Sequence, residues 1–326
     1  METLFLSRAD IESTFTMKEA IRAVENGFHE KENVEKSVKA WLFFTKQGGD
    51  LALWSAYIPK LGAAGMKAIG YNTNNPKKGL PTITAIVILY DPETSFPIAI
   101  MDGTSITRMR TGAAGAIAAK YLAKKNSEVA AIIGAGVQGS SLLEGLFEVY
   151  PLKEVRIYDI SRERSMNLVK SLGGRHQAKM VITDQVKDTV ENADIISSAT
   201  PSHSPIIANE WISPGMHFNA IGADEPGKQE LDPLILKRSR IVVDDKAESI
   251  RRGETNVALS KGIIKESDIY AELSEVILGT KQGRENDAQI TVFDATGIAL
   301  EDVATAWEIY SKAKASGAGE YRNFVA

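Results

Sequence analysis

Cysteine is missing from all 326 residues of this chain. Disulfides, thiolate nucleophiles and cysteine-ligated zinc are thereby excluded, and the composition suits a reducing, cytoplasmic compartment. Histidine is scarce: His29, His176, His203 and His217 are scattered without the His-x-x-x-His spacing of a zinc site, so no metal centre is expected. Neither sign of charge dominates. Lys and Arg number 38 against 42 Asp and Glu, and a formal net charge of −4 gives no reason to expect nucleic acid as a partner. No apolar run approaches the roughly 18 residues that cross a bilayer. The opening "METLFLSRADIESTF" turns acidic too early for a signal peptide. A soluble cytoplasmic protein is expected, away from membranes and long enough for two domains.

The chain changes character near its first third. Thr16 and Glu19 fit a capping box ahead of the amphipathic segment "AIRAVENGFHEK". Several β-like runs follow, "KAWLFFTKQ", "DLALWSAYIP", "AAGMKAIGYN", "PTITAIVILYD" and "FPIAIMDG", and their short gaps predict antiparallel neighbours in an α+β domain reaching to about Asp102. The Ala-rich "RMRTGAAGAIAAKYLA" reads as a closely packed helix. Beyond it, strands and helices alternate through "VAAIIGAG", "EVRIYD", "ADIISSATP", "MHFNAIGAD" and "RIVVDD", which predicts a parallel sheet with crossover helices. A late strand, "ITVFDATG", leads into the helix "LEDVATAWEIYSKAKA".

After the first strand of the second half stands "GAGVQG", containing Gly134, Gly136 and Gly139. Alone this spacing is a weak signal. Here a strand precedes it, a helix follows, and Asp159 ends the next strand about 20 residues on, as a dinucleotide fold requires. Each glycine has its own reason: a tight turn at Gly134, close approach of the pyrophosphate at Gly136, and helix-on-strand packing at Gly139. Asp159 would accept from the adenosine ribose hydroxyls and repel a 2′-phosphate, which favours NAD, while Arg162 nearby keeps NADP open.

Ligands of open parallel sheets bind beyond the carboxyl ends of the strands. Those ends fall here at Gly134, Asp159, Thr200–Pro201 and Ala223–Asp224, so Asp224 is expected in the same crevice, as a catalytic acid or as the polar end of a strand. Arg110 and Thr111 are read at the start of the Ala-rich helix, where an arginine and free backbone N–H groups would hold a substrate carboxylate or the pyrophosphate, unless Arg110 is a plain surface residue. Lys67, among small and apolar residues in "GMKAIG", is either an edge-strand charge or a buried lysine of lowered pKa. Pattern alone does not separate these.

Taken together, "MKAIG…NNPKKGLPT", "RTGAAGAIAAKYLA", "IGAGVQG", "IGADEPGKQELD" and "VFDATGIALED" resemble the ornithine cyclodeaminase/mu-crystallin family over essentially the whole chain, in wording nearest its archaeal alanine dehydrogenase branch. The resemblance implies an α/β architecture, a Rossmann doubly wound parallel sheet at 119–300 plus a smaller α+β substrate and dimerisation domain at 1–118 and 301–326. It implies a homodimer that uses NAD, with NADP possible, to oxidise a small amino acid to an imine or to reduce one. By motif, Lys67 is similar to the catalytic and carboxylate-binding lysine, Arg110 to the carboxylate-binding arginine, and Asp224 to the acid–base at the imine carbon. Thr82, Arg110, Thr111, Asp159, Thr200, Lys228 and Ala295 fall where family members contact cofactor, joined by Val137 and Gln138 of the fingerprint turn and by Ala220 and Ile221. Thr296 falls beside the substrate.

Two departures bear on the substrate. The family's basic residue before the first β-run is matched by Lys39, which cannot fork around a carboxylate as arginine does. Where cyclodeaminases resemble one another in an acid followed by Met-Pro, this chain has Ala52, Trp54 and Ser55. A diamino acid would lose its carboxylate partner, and a buried unpaired ammonium is costly. Trp54 would then line a more apolar pocket, or simply fill core. An alanine-like substrate is expected ahead of ornithine or a cyclic ketimine, with a non-catalytic dinucleotide-binding role as the alternative outside enzymology. A 2-hydroxy-acid dehydrogenase is disfavoured because no histidine sits with a suitable acid partner, His203 being the only near candidate.

Overall fold

The computed structural model describes residues 2–36 and 39–324. The chain divides into two compact units, one built from residues up to Arg110 together with those from Ile298 onward, the other Thr111–Gly297.

The first unit is organised on β1 (Thr3–Leu6), β2 (Glu35–Lys36), β3 (Ala40–Phe44), β4 (Gly49–Ile58), β5 (Ala63–Asn72), β6 (Ile83–Tyr90) and β7 (Pro97–Asp102). The run from β3 through β7 pairs antiparallel, as the short gaps predict, while β1 joins β7 in parallel and the C-terminal strand Glu320–Arg322 closes that edge. Strand period puts alternate residues on opposite faces. Ala52, Trp54, Ala56 and Ile58 of β4, with Ala85, Val87 and Leu89 of β6, are buried beneath the C-terminal helix Ala299–Ser316. The helix pair α1 (Arg8–Thr14) and α2 (Met17–His29) opens the unit, each helix with a complete capping box, Ser7 with Asp10 and the expected Thr16 with Glu19.

Asp102 ends β7 and caps α3 (Gly103–Leu122) by accepting from Thr104 N, Ser105 N and Ser105 Oγ. This corrects the expected helix start. Arg110 and Thr111 lie two turns inside α3, where their N–H groups belong to the helix ladder and are not an open anion site. The Ala-rich segment is helical as expected, and its small residues are buried on nearly every face, with Ala113, Ala116 and Ala119 fully enclosed. The division between the units falls inside this helix, after Arg110.

The second unit carries β8 (Val129–Ile133), β9 (Glu154–Tyr158), β10 (Lys179–Ile182), β11 (Ile195–Ser198), β12 (His203–Ile207), β13 (His217–Ala220), β14 (Gln229–Leu231), β15 (Arg240–Val243), β16 (Ile269–Glu272) and β17 (Thr291–Asp294). Eight of them form one sheet in the order β10-β9-β8-β11-β13-β17-β15-β16, with every pair parallel. Alternation along β8 sends Ala130 and Ile132 into one core layer and Ala131 and Ile133 into the other, so both faces are covered, as a doubly wound sheet requires. The chain leaves β8 for β9 and β10 on one side and returns to β11 on the other. The switch point therefore lies between β8 and β11. A separate parallel pair, β12 with β14, was not anticipated, because both runs are short and polar.

Candidate active site

In the first unit, Lys67 lies on β5, a central strand between β4 and β6, directly opposite Trp54 on β4. The edge-strand reading of this lysine is thereby set aside: its side chain is fully enclosed. Nζ donates to Asp302 Oδ1 at 2.6 Å and to Thr107 Oγ1 at 3.2 Å, and stands 4.6 Å from the centre of the Trp54 ring. Burial pulls its pKa down to about 7, against the attraction of Asp302, with Arg110 and Lys39 pushing the same way as burial. An ammonium that titrates near neutrality suits proton exchange.

Arg110 is no surface residue. Its Nε donates to Asp302 Oδ1 at 3.1 Å and one terminal nitrogen donates to Glu301 Oε2 at 2.7 Å. Trp54 Nε1 donates to the other oxygen of Asp302 at 2.9 Å, so the indole has a polar task as well as filling core. Half-buried Lys39 places its Nζ 5.0 Å from the centre of the same ring. Burial opposes the charge on Asp302, yet Lys67 and Arg110 outweigh it and its pKa is lowered. Sequence reasoning missed Glu301 and Asp302. Their one signal was an acid pair in the first turn of a helix beginning right after "ATG", where acids also serve the helix dipole. Thr82 lies in the loop before β6, half-buried, its carbonyl accepting from Asn72 N.

In the second unit the strand ends hold the fingerprint. Gly134 has φ +95°, and a Cβ there would come within 2.6 Å of Ala199 O. A Cβ on Gly139 would fall 1.8 Å from Gly134 O, whereas one on Gly136 would meet nothing within 4 Å. The last is the open side where a phosphate can approach. Helix α4 (Val137–Val149) starts immediately after, with no side chain capping its first N–H groups. Val137 is exposed, and Gln138 holds a buried Oε1 without a partner. A cavity of about 350 Å³ follows, lined among others by Gly134, Gly136, Asp159, Ile160, Arg164 and Thr200. Asp159 accepts from Ala135 N and Ser161 N, both at 2.8 Å, which fixes its carboxylate at the cavity wall. Arg162 is taken up by Asp184. Buried Thr200 Oγ1 also lacks a partner. An open glycine, an uncapped helix start and two orphaned polar atoms fit a dinucleotide.

Asp224 lies in the loop four residues past the end of β13, half-exposed, with Oδ1 accepting from Lys228 Nζ at 2.8 Å. Glu225 reaches the same ammonium at 3.4 Å, so the neighbouring acids share one cation and Glu225 is also half-exposed. Burial opposes the charge on Lys228, but the two carboxylates prevail and its pKa is raised. Ala220 is buried at the end of β13, Ile221 N donates to Ser198 O, and Ala295 N donates to Ala220 O. Thr296 N donates to buried Asp244 at 2.8 Å. Thr111 is buried within α3. Among the described residues, no group of three or more His, Cys, Asp or Glu is placed to hold a metal ion, and no helix is long and apolar enough to cross a membrane.

Comparison with known proteins shows the family of this chain. The chain is similar to alanine dehydrogenase of Archaeoglobus fulgidus, 44% identical over 326 residues, 99% of each chain. Among solved structures it resembles an archaeal alanine dehydrogenase dimer with bound NAD, with a TM-score of 0.94 at 43% identity over 99% of this chain and 100% of that one. It also resembles Delta(1)-pyrroline-2-carboxylate reductase of Thermococcus litoralis in complex with NADH and L-proline, with a TM-score of 0.93 at 35% identity over 98% and 99%. Residues 1–317 match the model of one family, and the chain belongs to it: the ornithine cyclodeaminase/mu-crystallin family.

Proposed function

We propose that this protein is an NAD-dependent oxidoreductase of the CH–NH2 group of a small L-amino acid, an alanine dehydrogenase. L-alanine, NAD⁺ and water give pyruvate, ammonium, NADH and a proton, reversibly. The observation that carries the reading is the buried cluster of Lys67, Arg110 and Trp54 around Asp302, with Lys39 over the indole. The Arg110 guanidinium and the Lys67 and Lys39 amino groups gather there, donors of the kind that bind an α-carboxylate. Bound NAD would accept the hydride from Cα. Gly136, the start of α4 and Thr200 would hold its phosphates and Asp159 its ribose. Lys67, poised near neutrality, takes and returns protons, and Asp224 is the second acid–base.

The absence of a carboxylate at buried Ala52 disfavours a diamino acid. A cyclic ketimine is the second reading, because such a substrate brings the same carboxylate and no distal ammonium, and the Thermococcus litoralis relative was solved with L-proline. The test follows NADH consumption with pyruvate plus ammonia, with cyclic ketimines, and proline formation from ornithine. Fastest turnover of pyruvate and ammonia is expected. Tight NADH binding with no turnover of any of them would leave a binding protein and refute the enzyme.

The relative solved as a dimer and the apolar residues left open on this sheet support a homodimer. Ile86, on the face away from the C-terminal helix, is 48% exposed, and Leu42 and Phe43 of β3 are 55% and 69% exposed. Sedimentation equilibrium at twice the chain mass is expected.

A further inference from the structure

In the second unit the buried carboxylates Glu230, Glu254 and Asp294 accept hydrogen bonds from backbone N–H and hydroxyl groups. They are linked through the backbone. Glu254 accepts from Glu230 N at 2.6 Å and Leu231 N at 3.1 Å, and Asp294 accepts from Glu254 N at 3.1 Å and Thr255 N at 3.0 Å. The last acid in this series faces the strand ends. Glu230 Oε1 accepts from Thr200 N at 2.7 Å, while Oε2 accepts from Ser198 Oγ at 2.8 Å and Gly222 N at 2.9 Å.

We infer that Glu230 is a positioning residue that sets the spacing between the Thr200 loop, which lines the cofactor cavity, and the Gly222 loop, which leads to Asp224. This rests on reading that cavity as the dinucleotide site. A carboxylate is acceptor-only and takes three donors at once, whereas an amide would turn an NH2 group against one of them. The two loops leave no slack. A Cβ on Gly222 would come 2.3 Å from Thr200 O and 2.6 Å from the Glu230 carboxylate. The group being positioned is itself unfinished: Thr200 lines the cavity with its buried Oγ1 unpartnered. Holding such a loop against Glu230 costs the burial of a charge, which a stability role alone would not favour over an apolar contact.

The test titrates the parent protein, Glu230→Gln, Ser198→Ala and Gly222→Ala with NADH by fluorescence, alongside melting temperatures. Glu230→Gln is expected to raise the NADH Kd about tenfold or more, because a charged acceptor becomes a donor facing an N–H. Ser198→Ala keeps both backbone N–H groups on the carboxylate and is expected to stay within about threefold. Gly222→Ala presses on the same carboxylate without touching its charge and should repeat the rise, so the inference stays testable if Glu230→Gln does not fold. In turnover, KM for NAD should rise with Kd while KM for the amino acid holds within about twofold, a split that a loss of folded protein does not produce. Folded Glu230→Gln or Gly222→Ala binding NADH within about threefold of the parent overturns the positioning role alone. A parent that does not bind NADH overturns the cofactor reading and this inference with it.

Discussion

Replacing Lys67 by Met removes one buried ammonium and keeps most of the side-chain volume. In the folded chain Lys67 releases its proton at about 7, against an ordinary lysine value of 10.5. Between those values the unfolded chain holds a proton that the folded chain has given up, so the contribution of Lys67 to stability rises with pH through that window. Below pH 7 both states are charged, and burial of the ammonium costs the fold its full penalty. Each pKa unit is worth about 1.4 kcal/mol, so from pH 7 to pH 10 the parent should gain about 4 kcal/mol over the variant. Both proteins would be unfolded in urea at several pH values, followed by tryptophan fluorescence, since Trp54 lies beside the site. Subtracting the Lys67→Met curve from the parent cancels the titrating groups that do not contact Lys67. A difference that stays flat within about 1 kcal/mol from pH 7 to 10 would refute the account of Lys67 as a desolvated, near-neutral lysine. The same variant should lose about 10²–10⁴-fold in turnover if the lysine moves protons.

Asp224→Asn should lower kcat about 10²–10⁴-fold while changing NADH affinity only slightly, because it removes a proton acceptor and keeps the shape; stopped-flow hydride transfer and NADH titration read the two separately. Gly136→Ala should fold with the parent's melting temperature and bind NADH about tenfold or more weakly, since its Cβ enters open space on the phosphate side. Gly139→Ala should instead lower the melting temperature, because its Cβ would overlap Gly134 O at 1.8 Å and force helix and turn apart. Equal melting temperatures for the two glycine variants would contradict that division of labour.

Much of this protein was legible along the chain, and the reason is locality. The dinucleotide turn is written in three glycines whose conformational demands arise within a strand, a turn and a helix start. Strand ends follow from alternation and crossover spacing, which put Gly134, Asp159 and Thr200 along one edge of a parallel sheet. The start of α3 was misplaced by two turns, because "RTGAAG" is more conspicuous than the quiet Asp102 cap that begins the helix. Burial was beyond the sequence. Lys67 has the same neighbours in the chain whether it lies at an edge or at the centre of a sheet, and only the pairing of β5 with β4 and β6 decided it. Asp302 reaches that lysine across 235 residues, a convergence that no spacing rule records. The glutamate behind Thr200 was likewise unreadable, since its role depends on two loops closing on one carboxylate. Local geometry thus came from residue type and interval, while the charge state and partners of the buried groups were decided by long-range packing, which sets the desolvation that moves a pKa.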